Sequence, residues 1–155
     1  MFHSFDASVI AQQLTGIAYE IFGRIEVTEL LGLAWSKPRL LWRAPNVVAL
    51  ARRTCDSCHA TVPVLMTFSD QIAFWVATMI LSEQNLKERV EVLTKFLHII
   101  RHLFNNHDFN TLMAVLVGLG NSAVSRLRRT WAAIDPELFA VRFAFQTLLL
   151  NSAGL

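Results

Sequence analysis

The sequence lacks the marks of a β-protein. No run alternates apolar and polar residues, no hairpin dipeptide joins strand-like segments, and nothing repeats. This leaves an all-α chain. Catalytic signatures are also missing. There is no GxSxG, no glycine-rich phosphate loop, no HExxH and no carboxylate pair at a plausible active-site spacing. Neither a bond-making enzyme nor a bound cofactor is expected. Cysteine is scarce, with two in the chain. The opening Met1-Phe2-His3-Ser4-Phe5-Asp6 has neither the basic region nor the apolar core of an export signal. Both features suggest a reducing compartment and a cytoplasmic location.

Charge is thin as well. Charged residues make up 17% of the chain, against roughly 25% in a typical soluble domain. The net charge is +2, and the densest basic groups are Arg126, Arg128 and Arg129, then Arg52-Arg53. Neither group comes with an aromatic ladder, so both read as solvated faces and nucleic acid is not an expected partner. What fills the space is hydrophobic: 54% of residues, with a mean hydropathy of +0.41. A membrane-spanning helix needs roughly 18–20 apolar residues in succession. The long apolar stretches are broken at Ser69-Asp70-Gln71 and by the charges of 83–95, so no transmembrane segment is expected. The excess instead suggests apolar faces that another protein covers. At 155 residues the chain can hold one domain with a real core.

Periodicity predicts helices over 7–22, 28–34, 45–52, 68–81, 84–104, 110–118, 122–132 and 136–150. Asp6 can cap the first, with Ile10, Leu14, Ile17 and Ile21 on one stripe. Ser82 can cap the helix over 84–104. That helix carries two apolar stripes, one through Leu86, Val90, Leu93, Leu97, Ile100 and Phe104, the other through Val92, Phe96, Ile99 and Leu103. Asp135-Pro136-Glu137 supplies cap, first-turn proline and acid for the last helix.

The chain is organised around 110–131. Leu112, Met113, Val115, Leu116 and Leu119 surround a helical wheel, so that helix must be buried or pressed against a partner. Gly118 and Gly120 bracket its end, where glycine accepts a left-handed cap. Asn121 or Ser122 can then cap a second helix, with Val124, Leu127 and Trp131 inside and the arginines outside. The expected shape is a tight helix–Gly–helix corner.

Between 52 and 66 periodicity fades, and the segment contains Cys55-Asp56-Ser57-Cys58-His59. CxxCH is a c-type haem attachment pattern. There is no export signal and no clear distal ligand, and zinc would want a fourth ligand. The segment reads as an atypical insert with no metal.

Several blocks resemble the catalytic domain of Ras guanine-nucleotide exchange factors. The strongest are Phe109-Asn110-Thr111-Leu112-Met113-Ala114-Val115, Gly118-Leu119, Ser122-Ala123-Val124-Ser125-Arg126-Leu127 and Thr130-Trp131. Trp35-Ser36-Lys37, Ala44-Pro45-Asn46-Val47, Trp75-Val76-Ala77-Thr78 and Ile80-Leu81-Ser82-Glu83-Gln84-Asn85-Leu86 follow the family order. The resemblance covers nearly all of 1–155 and implies a multi-helix orthogonal bundle. It further implies a Ras-family small GTPase as partner, with GDP release and GTP loading as the activity and membrane recruitment left to other domains. By position it places Trp35, Met113, Gly120 and Asn121 at the GTPase. In that family a helical hairpin beyond the last helix displaces the first switch. Residues 1–155 show no such hairpin, so the chain is expected to be the amino-terminal part of the domain, with impaired exchange. The competing reading is a non-catalytic helical module that binds a GTPase or another protein, or a truncated product.

Overall fold

The computed structural model describes residues 4–27 and 61–152. The helices expected over 28–34 and 45–52, together with Trp35, Cys55, Cys58 and His59, lie outside the described residues. Those residues form seven helices and no strand, an all-α bundle as the sequence implies.

Helix α1 spans Ala7–Phe22. Asp6 stands at its start in extended conformation but caps no backbone N–H; the Ser8 hydroxyl donates to its carboxylate instead. That bond holds the Asp6 carboxyl below its ordinary value. The buried residues are Ala7, Ala11, Ala18 and Ile21, while Ile17 faces solvent. The buried face is thus turned roughly one-sixth of a turn from the predicted isoleucine stripe. Alanine explains the turn, because its short side chain lets α1 lie close to its neighbours.

Helix α2, Thr61–Ser82, begins seven residues before the predicted 68. Residues 61–66, read as insert, are therefore its first turns, and Val64 is already buried there. Pro63 does no harm in a first turn, where backbone N–H groups have no helical partner. The polar residues Ser69-Asp70-Gln71, which break the apolar run, lie within the helix, as the predicted span 68–81 implies. The Ser69 hydroxyl bonds back to the Leu65 carbonyl at 3.0 Å, while Asp70 and Gln71 are solvent-exposed. By length and composition α2, with 22 residues and a mean hydropathy of 1.5, could cross a membrane. Here it is a core helix, with Val64, Phe68, Ile72, Val76 and Ile80 buried at every fourth position.

Helix α3, Leu86–Asn105, is capped by Asn85, whose side-chain oxygen accepts from Lys87 N at 3.1 Å. Ser82 is not the cap; its hydroxyl bonds back to Thr78 within α2. Both predicted stripes converge on the core through Val92, Leu93, Phe96, Leu97, Ile99, Ile100 and Leu103. The Trp75 ring meets Phe96 edge-on at 5.3 Å.

A tight turn ends α3. Asp108 N donates to Leu103 O and His107 N to Phe104 O, both at 3.0 Å, with His107 at φ 58°. This is the left-handed helix stop that glycine usually occupies. Asp108 then caps helix α4, Phe109–Gly120, by accepting from Thr111 N at 3.0 Å.

α4 packs against α2 along two fixed points. Asn110 Nδ2 donates to Ser69 Oγ at 3.1 Å. Gly118 fits so closely that a Cβ there would stand 2.7 Å from the Ala73 carbonyl oxygen and 2.8 Å from Val76 Cβ. Since 110 meets 69 and 118 meets 73 and 76, the two helices run in the same direction, and α3 returns between them in sequence.

The predicted helix over 122–132 is broken in two: α5, Ser122–Ser125, and α6, Arg128–Ala132. At the break Arg128 N turns back to Arg126 O at 2.8 Å. The Trp131 indole N–H reaches across it to Val124 O at 3.0 Å. Buried Thr130 accepts from Arg89 Nε at 3.0 Å, tying α6 to α3. Helix α7, Pro136–Ser152, starts with Asp135 accepting from Glu137 N at 3.0 Å. Its Phe145 packs on Phe104 at 4.8 Å.

Candidate functional site

α4, expected to be buried or pressed against a partner, buries one face and leaves another open. Thr111, Leu112, Ala114, Val115, Leu116, Gly118 and Leu119 face the core. Phe109, Met113 and Val117, each one turn above the last, are 49%, 43% and 61% exposed. Residues at i, i+4 and i+8 form one surface row, so α4 presents a continuous apolar stripe to solvent. Met113 was the stripe's only residue singled out from the sequence. Phe109 and Val117 were missed, although their spacing of four from Met113 was the available signal.

α2 continues the surface. Phe74 is 70% exposed and follows Ala73, the residue whose carbonyl meets Gly118. Met66 and Leu81 are exposed on the same helix. Isolated apolar residues at a surface carry little meaning, but several gathered across two packed helices mark a place where other protein docks. Two of them are methionines, whose flexible thioethers adapt to a partner's contour.

The stripe ends at the corner. Gly120 is exposed, with open space where a Cβ would project. Neither Gly118 nor Gly120 takes the expected left-handed conformation. The chain leaves α4 through Asn121 instead, at φ −51° and ψ 136°, so no left-handed residue is needed. Asn121 caps α5 through its side-chain oxygen, accepting from Ala123 N at 3.0 Å. Its amide NH2 has no partner among the described residues. Ser125, on the same short helix, is exposed too. Met113 thus lies midway along the stripe, with Gly120 and Asn121 at its end; Trp35 lies outside the described residues.

Behind the corner, α6 and α7 brace it. The Arg142 guanidinium lies 4.2 Å from the centre of the Trp131 ring and donates from Nη2 to Leu119 O at 3.5 Å. Burial lowers its pKa from the ordinary arginine value. A groove of about 350 Å³ opens at the other end of α4, between Tyr19 and Phe22 of α1, His107 of the turn and Phe109 at the start of α4. Beneath it Asp108 Oδ2 and Thr111 Oγ1 are buried without a hydrogen-bond partner.

Among the described residues, no three His, Cys, Asp or Glu side chains stand together as metal ligands would. What this surface offers is shape, apolar contact and a few directed hydrogen-bond donors, the ingredients of a protein interface.

The RasGEF domain family model matches residues 9–152. Among similar proteins of Dictyostelium discoideum, Ras guanine nucleotide exchange factor R is 33% identical over 154 residues, 99% of this chain and 8% of that protein. Ras guanine nucleotide exchange factor A is 37% identical over 152 residues, 98% of this chain and 22% of that protein. Factor J is 41% identical over 131 residues, 82% of this chain and 14% of that protein. The chain therefore spans only a small part of the length of these relatives. A domain match over almost every residue, on an all-α bundle with an open apolar face, places this chain in the RasGEF family.

Proposed function

We propose that the chain docks a Ras-family GTPase on the α2–α4 face and acts as part of a guanine-nucleotide exchange factor in the cytoplasm. The observation that carries this is the exposed row Phe109–Met113–Val117 on a helix whose opposite face is core. Three such side chains in one row make a contiguous apolar surface of the kind a partner covers. The GTPase would cover the row, and the unpaired amide of Asn121 would donate at its end. Met113, Gly120 and Asn121 contact the second switch in this reading, and Trp35 contributes from outside the described residues.

An exchange factor works by preferring one state of its partner. A ligand shifts an equilibrium only through its differential affinity for the two states. The α2–α4 face can hold a GTPase, while opening the nucleotide site needs a further element that displaces the first switch. For residues 1–155 alone we therefore expect binding with release near the spontaneous rate.

The test is fluorescent-nucleotide release and direct binding with purified Ras, Rap and Ral. Met113→Asp should weaken binding at least about tenfold, because even a neutral polar group left unpaired in an apolar contact costs ~1–3 kcal/mol and a carboxylate costs more. The fold should survive, since Met113 is partly solvated already. Unchanged binding would move Met113 out of the site. Release accelerated by orders of magnitude would show that the chain opens its partner unaided. Binding with unaltered release, even when further helices are joined to the carboxyl end, would favour a non-catalytic docking module.

A further inference from the structure

The corner that carries Asn121 is held from both sides by one cation. Helix α4 ends without a left-handed cap, so its last carbonyls need donors from elsewhere. Gly118 O accepts from Asn121 N at 3.2 Å. In a continuing helix Leu119 O would accept from Ala123 N, but that N–H donates to the Asn121 side chain at 3.0 Å. Arg142 supplies the missing donor to Leu119 O, from Nη2 at 3.5 Å. Its guanidinium also lies 4.2 Å from the centre of the Trp131 ring, and the Trp131 indole N–H donates to Val124 O at 3.0 Å. The chain is therefore gripped at 119, just before Gly120-Asn121, and at 124, just after.

Packing alone does not ask for arginine at 142. Burial works against its charge and lowers its pKa, whereas a methionine would cover the Trp131 ring without that cost. What arginine adds is a directed N–H at a helix end whose carbonyls favour positive charge, and a flat cation that stacks on the ring. Asn121 is the residue that benefits. With Leu119 O satisfied by Arg142, Asn121 Oδ1 keeps the Ala123 N–H, and its amide NH2 stays free for a partner.

We propose that Arg142 is a positioning residue for GTPase docking: through Leu119 and Trp131 it sets the direction in which the Asn121 amide meets the partner. The proposal rests on the docking reading above and adds to it a dependence on α7. A side chain of the last helix, placed behind the corner and out of the partner's reach, decides how well the far end of the α4 stripe binds. Arg142 and Asn121 then act as one unit, and Arg142 and Met113 as two.

The experiment has two arms. The first needs no partner. In the proton–nitrogen correlation spectrum of the chain, Arg142→Met should move the backbone amide signals of Gly120, Asn121 and Ala123 and leave those of Thr111 and Met113 in place. Unmoved corner signals would overturn the clamp whatever the chain binds. The second arm is a double-mutant cycle read as affinity for the Ras, Rap and Ral panel. Asn121→Ser keeps a capping oxygen and removes the NH2, and losing that one donated hydrogen bond should weaken binding about fivefold. Arg142→Met should weaken it by a similar factor, because the same bond is misdirected. The two together should again lose about fivefold rather than ~25-fold. Met113 lies about 10 Å further along α4, so the effects of Arg142→Met and Met113→Ala should multiply. Trp131→Phe keeps a ring but drops the N–H to Val124, opening the clamp from its other side. It should couple to Asn121→Ser in the same way, and it carries both arms where Arg142→Met lowers stability too far. Full multiplication of a clamp variant with Asn121→Ser, or undiminished binding by the clamp variants, would refute positioning and leave docking intact. Binding of no panel member by the wild-type chain, with the corner signals moving as expected, would overturn the docking reading and the positioning role with it.

Discussion

Gly118→Ala should be the most informative single methyl group in this domain. In an isolated helix alanine is favoured over glycine by ~1 kcal/mol, so the exchange ought to stabilise α4. At 118 the new Cβ would stand 2.7 Å from the Ala73 carbonyl oxygen and 2.8 Å from Val76 Cβ. Neither neighbour can step aside. One is backbone inside α2, and the other is a fully buried β-branched side chain. Relief requires α4 to move off α2 by several tenths of an ångström, and overpacking of this kind costs ~1–3 kcal/mol. The clash should win, for a net loss of up to about 2 kcal/mol and a melting temperature lower by up to about 7 °C. Gly16→Ala is the matched control. Gly16 also lies mid-helix but has nothing within 4 Å of its Cβ position, so it should gain ~0.5–1 kcal/mol. Thermal unfolding by circular dichroism reads both variants. If Gly118→Ala is as stable as Gly16→Ala, the close approach of α2 and α4 is not as described, and the shared docking face loses its basis.

Other substitutions test individual joints. His107→Gly should stabilise by about 1 kcal/mol, because His107 holds a left-handed turn at φ 58° that costs a side-chain-bearing residue ~1–2 kcal/mol; denaturant unfolding measures it, and a loss instead would mean that the ring's neighbours outweigh the strain. Thr130→Val should cost ~1–3 kcal/mol by leaving Arg89 Nε without its acceptor, visible as a lower urea midpoint at unchanged slope. Asn85→Ala should cost about 1 kcal/mol as a lost helix cap, and a larger loss from Ser82→Ala would restore Ser82 as the cap.

The central helices were legible because their signals were redundant. α3 carries two apolar stripes that agree on one orientation, and Asp108 sits where a cap must. α1 misled because its most hydrophobic stripe is not its buried one; alanine gains close approach where isoleucine gains area. The start of α2 was hidden because periodicity fades across 52–66; Pro63, inside that stretch, is harmless in a first turn. The α5–α6 break left no trace, since Val124, Leu127 and Trp131 suit one continuous helix. It depends on an indole nitrogen satisfying a carbonyl seven residues away, a contact no local pattern encodes. At the candidate site the family resemblance pointed to Met113, while composition left its helix either buried or pressed against a partner. Only the packing of α2 beside α4 leaves Phe109, Met113 and Val117 in the open.

The same-direction packing of α2 and α4 has a consequence for how the domain comes apart. Two neighbouring parallel helices need a third element to carry the chain back, and α3 does this while touching α1, α2, α4, α6 and α7. Neither half of the docking face can therefore loosen alone. Losing α3 severs the return path and frees both, whereas α7 can fray from its far end with Phe145 still against Phe104. In hydrogen exchange the core amides of α2, α3 and α4 should open together, as one cooperative unit with the highest free energy of opening. A GTPase resting on that unit would stabilise all three helices at once and leave exchange at the end of α7 unchanged.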